Sequence, residues 1–262
     1  MQGVVAIILA AGEGTRMKSN RAKVLHEIAG VPMIQYVVET ALAVVKEVVV
    51  VIGHQAETVR KILAPYPMLR FALQKEQLGT GHAVLCAIPE IPTGIRDVVV
   101  LCGDTPLIRA TTVHKLIEEH KAQKSDLTLI ATRLAKPSGY GRIVLDARGN
   151  LMRIVEESDA SASEKRISLV NTGTYCIHLP FLKRALGDLK NDNAQGEFYL
   201  TDVVDKAYQD GKSAVMLEID NPSEVIGVNT KAELAEAERL VQQGVARGGQ
   251  NPLDFPRRAY YL

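Results

Sequence analysis

Short runs of apolar and mostly β-branched residues recur along the chain. They lie at residues 4–9, 48–52, 98–102, 127–132 and 174–179. The first four show no alternation of polar and apolar positions, which is typical of strands buried on both faces of a parallel sheet. In the fifth run Tyr175, Ile177 and Leu179 fall on one face, so we expect that strand to be buried on one side only.

Amphipathic stretches lie between these runs. They cover residues 32–46, 57–63, 80–87 and 112–122, and in the first of them apolar residues recur with a period near that of a helix. A further helix is expected after Thr230, because Thr230 and Glu233 have the spacing of a capping box. Alternating strands and helices predict an α/β fold, with a mostly parallel central sheet flanked by helices and joined by right-handed crossovers.

After about residue 132 the pattern changes. Two short segments at residues 142–145 and 151–155 flank a turn that contains Gly149 and Asn150, which is the pattern of a β-hairpin. We therefore expect a mixed sheet with a small antiparallel part. The predicted organisation is one unit at residues 1–243, with a first half at 1–132, a second half at 133–229 and a C-terminal helix at 230–243, followed by a tail at 244–262.

Composition and charge exclude several classes of function. The 262 residues include 31 basic and 30 acidic ones, so no bulk charge favours nucleic acid or an anionic membrane. The apolar runs are too short to span a bilayer, and no basic region typical of a signal peptide follows Met1. The three cysteines have no paired or metal-binding spacing and indicate reduced thiols. We expect a cytoplasmic protein whose partners are neither nucleic acids nor membranes.

The loop after the first predicted strand is the strongest candidate for a ligand site. It reads Leu9-Ala10-Ala11-Gly12-Glu13-Gly14-Thr15-Arg16-Met17-Lys18. Alanines and glycines let the backbone approach a ligand, and successive N–H groups form a concave anion site. Arg16, Lys18 and Lys23 add positive charge, whereas the Walker loop and the dinucleotide fingerprint of other phosphate-binding loops do not match. The loop therefore suits a diphosphate or triphosphate.

A carboxylate follows the third predicted strand. Asp104 comes after Gly103 at the end of the run 98–102, and the carboxyl ends of parallel strands face the ligand crevice of such sheets. Mg²⁺ prefers hard oxygen ligands and keeps waters and substrate phosphates, so one carboxylate and one amide oxygen would suffice. Asp104 within Gly-Asp-Thr-Pro is also a typical turn residue, and the sequence leaves that alternative open.

The first loop, continued by Lys23-Val24-Leu25, resembles the signature of sugar-1-phosphate nucleotidyltransferases. More closely, the chain resembles the uridyltransferase domain of the bacterial bifunctional N-acetylglucosamine-1-phosphate uridyltransferase family. Matching segments occur in the same order over roughly residues 5–240. They lie at residues 74–83, 103–107, 139–142, 155–156, 171–173, 193–202 and 227–229.

The resemblance implies a fold and an activity. The fold is the Rossmann-like nucleotide-diphospho-sugar transferase fold, with a small antiparallel sugar-binding part. The activity is magnesium-dependent transfer of UMP from UTP to N-acetylglucosamine-1-phosphate, giving UDP-N-acetylglucosamine and pyrophosphate. Two alternatives stay open. One is transfer from UTP or dTTP to another sugar-1-phosphate such as glucose-1-phosphate, and the other is a catalytically weak module that binds nucleotide sugars.

The resemblance also implies roles for single residues. Arg16 and Lys23 would contact the transferring phosphates, and Asp104 and Asn229 would bind Mg²⁺. The implied nucleotide-binding residues are Leu9, Ala10, Ala11, Gly12, Gly14, Gln74, Gly79, Thr80 and Gly103. The implied sugar-binding residues are Gly141, Glu156, Asn171, Tyr199 and Thr201. Without the resemblance, Thr80 is a candidate helix N-cap, Asn229 a cap residue before Thr230, and Glu156 a solvated turn charge.

Two departures from the family pattern bear on partners and specificity. The bifunctional family carries a left-handed β-helix that forms trimers and binds acetyl-CoA, and no hexapeptide repeat of that kind occurs in this sequence. We therefore expect a monomer or a dimer that uses sugar phosphate already N-acetylated. Cys102 stands where some relatives have tyrosine, near the expected site.

Overall fold

The computed structural model describes residues 1–243, so the tail predicted at residues 244–262 lies outside the described residues. The strands are β1 (Val4–Ala10), β2 (Glu27–Ile28), β3 (Val31–Pro32), β4 (Glu47–Ile52), β5 (Arg70–Leu73), β6 (Asp97–Cys102), β7 (Leu127–Arg133), β8 (Arg142–Leu145), β9 (Leu151–Val155), β10 (Leu169–His178) and β11 (Ala214–Glu218). The α-helices are α1 (Met33–Val44), α2 (Ala56–Leu63), α3 (Thr80–Ala87), α4 (Ala110–Ala122), α5 (Leu179–Gly187), α6 (Asp202–Gln209) and α7 (Lys231–Gln242).

Nine of these strands form one sheet, with β11, β7, β10, β6, β1, β4 and β5 side by side and the β8–β9 hairpin paired to β10. Strand β10 runs antiparallel to both β6 and β7, whereas the pairs β1–β4, β1–β6, β4–β5 and β7–β11 are parallel. The predicted mixed and mostly parallel sheet is confirmed. The remaining two strands, β2 and β3, form a small separate hairpin.

Helices cover both faces of the sheet. One apolar cluster packs α3, α5 and α6 against one face, and a second packs α1, α2 and α4 against the other. A smaller cluster joins α7 to β2 and β3. The central strand β1 contributes to both large clusters, because alternate side chains such as Ile7 and Ile8 point to opposite faces. This double burial explains why the strand reads as a continuous apolar run.

The predictions from the apolar pattern agree best with the structure where strands are fully buried. The first four predicted strands match β1, β4, β6 and β7 to within one residue at each end, and the predicted hairpin matches β8 and β9. The sequence pattern missed β5, β11, α5 and α6. Strand β5 has only four residues, and its end residues Arg70 and Leu73 are exposed at the sheet edge.

The prediction for the fifth strand was wrong in two respects. Strand β10 begins at Leu169, and it is buried on both faces rather than on one. Tyr175 and Ile177 pack into one apolar cluster, while Cys176 packs into the other. The reason is topological, since β10 lies between β6 and β7 in the middle of the sheet. Within residues 1–243, no helix is both long and apolar enough to cross a membrane.

We expect Cys176→Ser to destabilise the fold, because it places a hydroxyl at a position with 0% of its surface exposed. The expected loss is about 1–3 kcal/mol in the free energy of unfolding. Cys86→Ser makes the same change at a half-buried helix position and should cost less than about 0.5 kcal/mol. Urea denaturation of both variants measures the difference. Equal losses would show that this face of β10 is not buried as described.

Candidate active site

The phosphate loop predicted after β1 folds back over the carboxyl edge of the sheet through two short 3₁₀ turns, Thr15–Met17 and Lys23–Leu25. Met17 and Leu25 are buried and anchor these turns on the core. Gly14 has φ of +72°, and a Cβ there would overlap the Cβ of Lys23. Glycine is therefore required at this position for both its backbone angle and the close approach of the Lys23 stem.

Four residues implied by the family resemblance meet in one contact network. Arg16 Nη2 donates a hydrogen bond of 2.7 Å to Asn229 Oδ1, and Lys23 Nζ donates to the same oxygen at 2.9 Å. Lys23 also forms an ion pair with Asp104. The side chains of Lys23 and Asp104 are only 16% and 20% exposed, so solvent screens this pair less than a surface pair.

Backbone contacts from separate parts of the chain hold this network together. Gly103 N donates to Leu9 O at 2.9 Å, which continues the pairing of β6 with β1 up to the residue before Asp104. Val228 N donates to Asp104 O at 2.8 Å, so the segment that carries Asn229 lies directly on the end of β6. The loop, the β6 end and the start of α7 thus converge at the carboxyl edge of the sheet.

The capping box of α7 positions Asn229. The Thr230 side chain accepts from Glu233 N at 3.2 Å, and the predicted capping box is confirmed. Glu233 Oε2 accepts from Thr230 N and from Asn229 N, both at 2.8 Å. Because one carboxylate oxygen holds two consecutive N–H groups, it fixes the backbone of Asn229 as well as the helix terminus. Sequence reasoning identified Glu233 as a cap but not as a support for the site.

The donor set fits Mg²⁺. Asp104 supplies a carboxylate and Asn229 an amide oxygen, and both lie close enough together to contact the same Lys23 ammonium. Such hard oxygens suit Mg²⁺, which usually takes one or two carboxylates and completes its shell with water and substrate phosphates. In the described part of the chain, no cluster of three or more His, Cys, Asp or Glu residues offers an alternative metal site.

A cleft of about 240 Å³ opens beside this network, and we call it the nucleotide cleft. It is lined by Leu9, Ala10, Ala11, Gly12, Lys23, Val24, Gln74, Gln77, Gly79, Thr80, Ala83, Cys102, Asp104 and Glu197. Most of the implied nucleotide-binding residues thus surround one space. Gly14 and Gly103 do not line it. A Cβ on Gly103 would lie 2.9 Å from Leu9 O, so this glycine permits the close packing of β6 on β1.

The base-reading candidate Gln74 has a fixed orientation. Its Nε2 donates to Gly79 O at 3.1 Å and lies 3.1 Å from His82 Nδ1. Four lining residues, Val24, Gln77, Ala83 and Glu197, were not singled out from the sequence. Each lies inside a segment that matches the family. The resemblance therefore covered these residues but did not distinguish them from their neighbours in the chain.

The glycine turn before α3 packs tightly against the segment at residues 197–200. Gly81 N donates to Phe198 O at 2.7 Å, and a Cβ on Gly79 would lie 2.6 Å from that same oxygen. The reading of Thr80 as a helix N-cap was wrong, because Gly79 occupies the cap position. The Thr80 hydroxyl instead accepts from Leu200 N at 3.0 Å. The turn thereby connects the nucleotide cleft to the predicted sugar-binding residues.

Four of the five implied sugar-binding residues are neighbours. Asn171 N donates to Gly141 O at 2.9 Å, and Thr201 Oγ1 donates to Glu156 Oε1 at 3.0 Å. A Cβ on Gly141 would lie 3.5 Å from both carboxylate oxygens of Glu156, so these two groups are juxtaposed. The Asn171 side chain is held by Tyr175, whose hydroxyl accepts from Nδ2 at 2.7 Å.

Tyr199 lies in a different environment from these four residues. Its hydroxyl is within hydrogen-bond distance of Gln195 Oε1 at 2.9 Å and of Asp159 Oδ2 at 3.2 Å. It therefore joins the loop at residues 193–199 to the loop at residues 158–159. Its closure over a sugar stays a prediction.

Burial shifts the pKa values of the ionisable groups around the residues predicted to bind the sugar. It raises the pKa of Glu156, and the hydrogen bond from Thr201 acts in the opposite direction. It raises the pKa of Asp202 to about 6, with the negative charges of Asp205 and Asp159 adding to the effect. Burial and the charge of Asp104 raise the pKa of the Cys102 thiol to about 12. Cys102 is therefore protonated near neutral pH and is not a thiolate nucleophile.

The raised pKa of Asp202 predicts a pH dependence of stability. Between its ordinary value of 3.8 and about 6, the folded protein binds the Asp202 proton more tightly than the unfolded chain does. The Asp202 contribution is therefore most favourable at the acid end and is lost as pH rises through this window. Asp202→Asn should remove that loss and stabilise the fold above pH 6 by on the order of 1 kcal/mol.

Urea denaturation at several pH values compares Asp202→Asn with the unchanged protein. Asp188→Asn provides the control, because Asp188 is exposed and paired with Lys206. This control should not gain stability above pH 6. If the free energy of unfolding of Asp202→Asn changes with pH in parallel with that of the unchanged protein, the raised pKa of Asp202 is contradicted.

Most of this chain is similar in sequence to curated bacterial proteins. The bifunctional protein GlmU of Pelobacter propionicus is 47% identical over 248 residues, covering 94% of this chain and 54% of GlmU. The bifunctional protein GlmU of Desulfotalea psychrophila is 46% identical over 233 residues, covering 88% of this chain and 68% of the relative. The chain spans about half the length of most of the curated relatives it matches.

A solved structure supports the fold independently. A Bacillus anthracis protein assigned as a glucose-1-phosphate thymidylyltransferase superposes with a TM-score of 0.73, covering 90% of this chain and 94% of that protein. At 20% identity the likeness concerns the fold alone. Residues 6–169 match the model of the MobA-like NTP transferase domain, which is more than half of the chain. Together with the close relatives, this match shows that the chain belongs to the family of MobA-like NTP transferase domains.

Proposed function

We propose that this chain transfers UMP from UTP to N-acetylglucosamine-1-phosphate in a magnesium-dependent reaction that releases pyrophosphate and UDP-N-acetylglucosamine. The observation that carries the proposal is the network in which Arg16, Lys23, Asp104 and Asn229 meet beside the nucleotide cleft. The similarity to the bifunctional protein GlmU over most of this chain supports the choice of substrates. We propose a cytoplasmic location, because the three cysteines have no paired spacing and indicate reduced thiols.

The attacking phosphate oxygen is already an anion at neutral pH, so the reaction needs no strong general base. The barrier lies in bringing two anionic substrates into line and in stabilising charge as pyrophosphate leaves. Arg16 and Lys23 supply positive charge at the cleft, and the planar fork of Arg16 suits paired phosphate oxygens. Bound by Asp104 and Asn229, Mg²⁺ would neutralise further charge on the phosphate oxygens.

The two ends of the site select the substrates. Gln74 Nε2 is held by Gly79 O and His82 Nδ1, so its Oε1 is the atom that can accept from the N–H of the uracil edge. We expect the glycine turn at residues 79–81, whose backbone lies next to Gln74, to exclude the larger purine ring. Glu156 and Asn171 lie at the other end, where carboxylate and amide groups suit the hydroxyl and acetamido groups of the sugar.

Purified protein is tested with each nucleoside triphosphate and each sugar-1-phosphate, with pyrophosphate release as the readout. We expect the highest kcat/KM with UTP and N-acetylglucosamine-1-phosphate, no activity in EDTA, and poorer use of glucosamine-1-phosphate because polar groups of the pocket are left unpaired. A preference for glucose-1-phosphate or dTTP would favour the alternative in which the chain transfers a nucleotide from UTP or dTTP to another sugar-1-phosphate. Inactivity with every pair would favour a module that only binds nucleotide sugars.

Asp104→Asn should lower kcat by on the order of a hundredfold, because it replaces the carboxylate proposed to hold Mg²⁺ with a neutral amide. The matched control Asp188→Asn removes an exposed carboxylate that pairs with Lys206, and it should retain normal activity. A fully active Asp104→Asn variant would argue against a metal at this position.

Glu233 is expected to act as a positioning residue for Asn229. Glu233→Ala should lower kcat by on the order of tenfold, because the N–H groups of Asn229 and Thr230 lose their shared acceptor. Glu233→Gln keeps an acceptor in the capping box and should restore most of the activity at an unchanged KM for UTP. If both variants lose helix stability equally but keep kcat, the role of Glu233 is structural only.

A further inference from the structure

The two oxygens assigned to Mg²⁺ are bonded to cationic side chains. Lys23 Nζ pairs with Asp104 and donates to Asn229 Oδ1 at 2.9 Å. Arg16 Nη2 donates to that same Asn229 oxygen at 2.7 Å. A single ammonium therefore bridges both oxygens, which is the position where a cation gains attraction from each of them.

We propose that Lys23 is the resident cation of the Asp104 and Asn229 oxygens in the nucleotide-free protein, and that it must leave them before a divalent cation binds there. This inference rests on the proposed function, since it takes those two residues as the metal ligands. The displaced ammonium then becomes available to phosphate oxygens of the nucleotide. Movement of this one side chain thereby frees the two metal ligands and brings a positive charge to the phosphates.

The geometry of Lys23 suits such a movement. Its Cβ packs against Gly14, so the base of the side chain is held on the loop. The ammonium lies at the end of a four-carbon stem with freely rotating bonds. Lys23 also lines the nucleotide cleft together with Gly12, so the space expected for phosphates lies within its reach. Only the head of the side chain has to move.

Charge balance favours joint arrival of metal and nucleotide. Arg16 and Lys23 bring two positive charges to the Asp104 and Asn229 oxygens, and the neighbouring carboxylate of Glu233 is engaged by the N–H groups of Asn229 and Thr230. A divalent cation that arrives alone must displace Lys23 while remaining near both basic side chains, and it is repelled by them. A nucleoside triphosphate brings several negative charges that offset this repulsion. We therefore expect the metal to bind weakly alone and tightly together with the nucleotide.

Binding of Mn²⁺ without nucleotide tests the inference directly. Mn²⁺ accepts the same oxygen ligands as Mg²⁺, and its free form is measured by electron paramagnetic resonance. Lys23→Met keeps the stem that packs on Gly14 but removes the charge. We expect it to bind Mn²⁺ on the order of tenfold more tightly than the unchanged protein. If Lys23→Met does not fold, Lys23→Gln takes its place in the same titration.

Two further variants separate direct competition from general charge effects. Lys231→Met removes an equal charge from an exposed position at the start of α7, two residues from Asn229, and should leave Mn²⁺ affinity near that of the unchanged protein. The double variant with Lys23→Met and Asp104→Asn should lose the increase in Mn²⁺ affinity, because it lacks the proposed carboxylate ligand. Adding UTP should narrow the difference between Lys23→Met and the unchanged protein, because Lys23 then contacts phosphate.

The inference is overturned if Lys23→Met binds Mn²⁺ no more tightly than the unchanged protein, or if Lys231→Met tightens binding as much. Its failure is distinguishable from failure of the proposed function. A protein that releases pyrophosphate from UTP, but whose Lys23→Met variant shows no gain, keeps the function and loses the inference. A protein that releases pyrophosphate from no substrate pair loses the proposed function. The Mn²⁺ titration then tests only whether Lys23 competes with a divalent cation for the Asp104 and Asn229 oxygens.

Discussion

The ion pair between Lys23 and Asp104 is the contact on which the arrangement of the site depends. It ties the phosphate loop to the end of β6, and the hydrogen bond of the same ammonium to Asn229 adds the start of α7. Two cationic side chains at one amide oxygen would repel each other without a nearby negative charge. Asp104 supplies that charge, and the site therefore keeps its positive groups concentrated while no anionic substrate is bound.

The direction of β10 brings the residues proposed to bind the sugar to the carboxyl edge of the sheet. The parallel strands β1, β4 and β6 all end at the carboxyl edge of the sheet, whereas the antiparallel β10 begins there. Its early residue Gly173 therefore lies against Cys102 at the end of β6, with Cys102 Sγ 3.6 Å from Gly173 O. The β8–β9 hairpin pairs with this part of β10 and carries Gly141 and Glu156 to its flanks. Because β10 runs opposite to its two neighbours, the residues proposed to bind the nucleotide and those proposed to bind the sugar lie at the same edge of the sheet.

How far the structure could be predicted depended on burial. Strands buried on both faces, such as β1 and β6, read as unbroken apolar runs and were predicted to within a residue. Strand β11 and helix α6 were missed, because β11 is only partly buried and α6 begins with acidic residues on a short segment. Arg16, Lys23 and Asp104 were candidates from the loop and strand pattern, and the other site residues came from the family resemblance. Their contacts did not, since Lys23 and Asn229 are 206 residues apart and neither position constrains the other locally.

The sequence by itself determined the fully buried strands and the helices between them, the loop that follows β1, and the capping box of α7. These features depend on local periodicity, on backbone angles and on side chains a few residues apart. Tertiary structure alone decided that β10 is buried on both faces, that Thr80 bonds to Leu200 rather than capping α3, and that one ammonium bridges Asp104 and Asn229. Those outcomes arise because strand order and direction bring distant groups within hydrogen-bond reach, where charge and burial act through space and not along the chain.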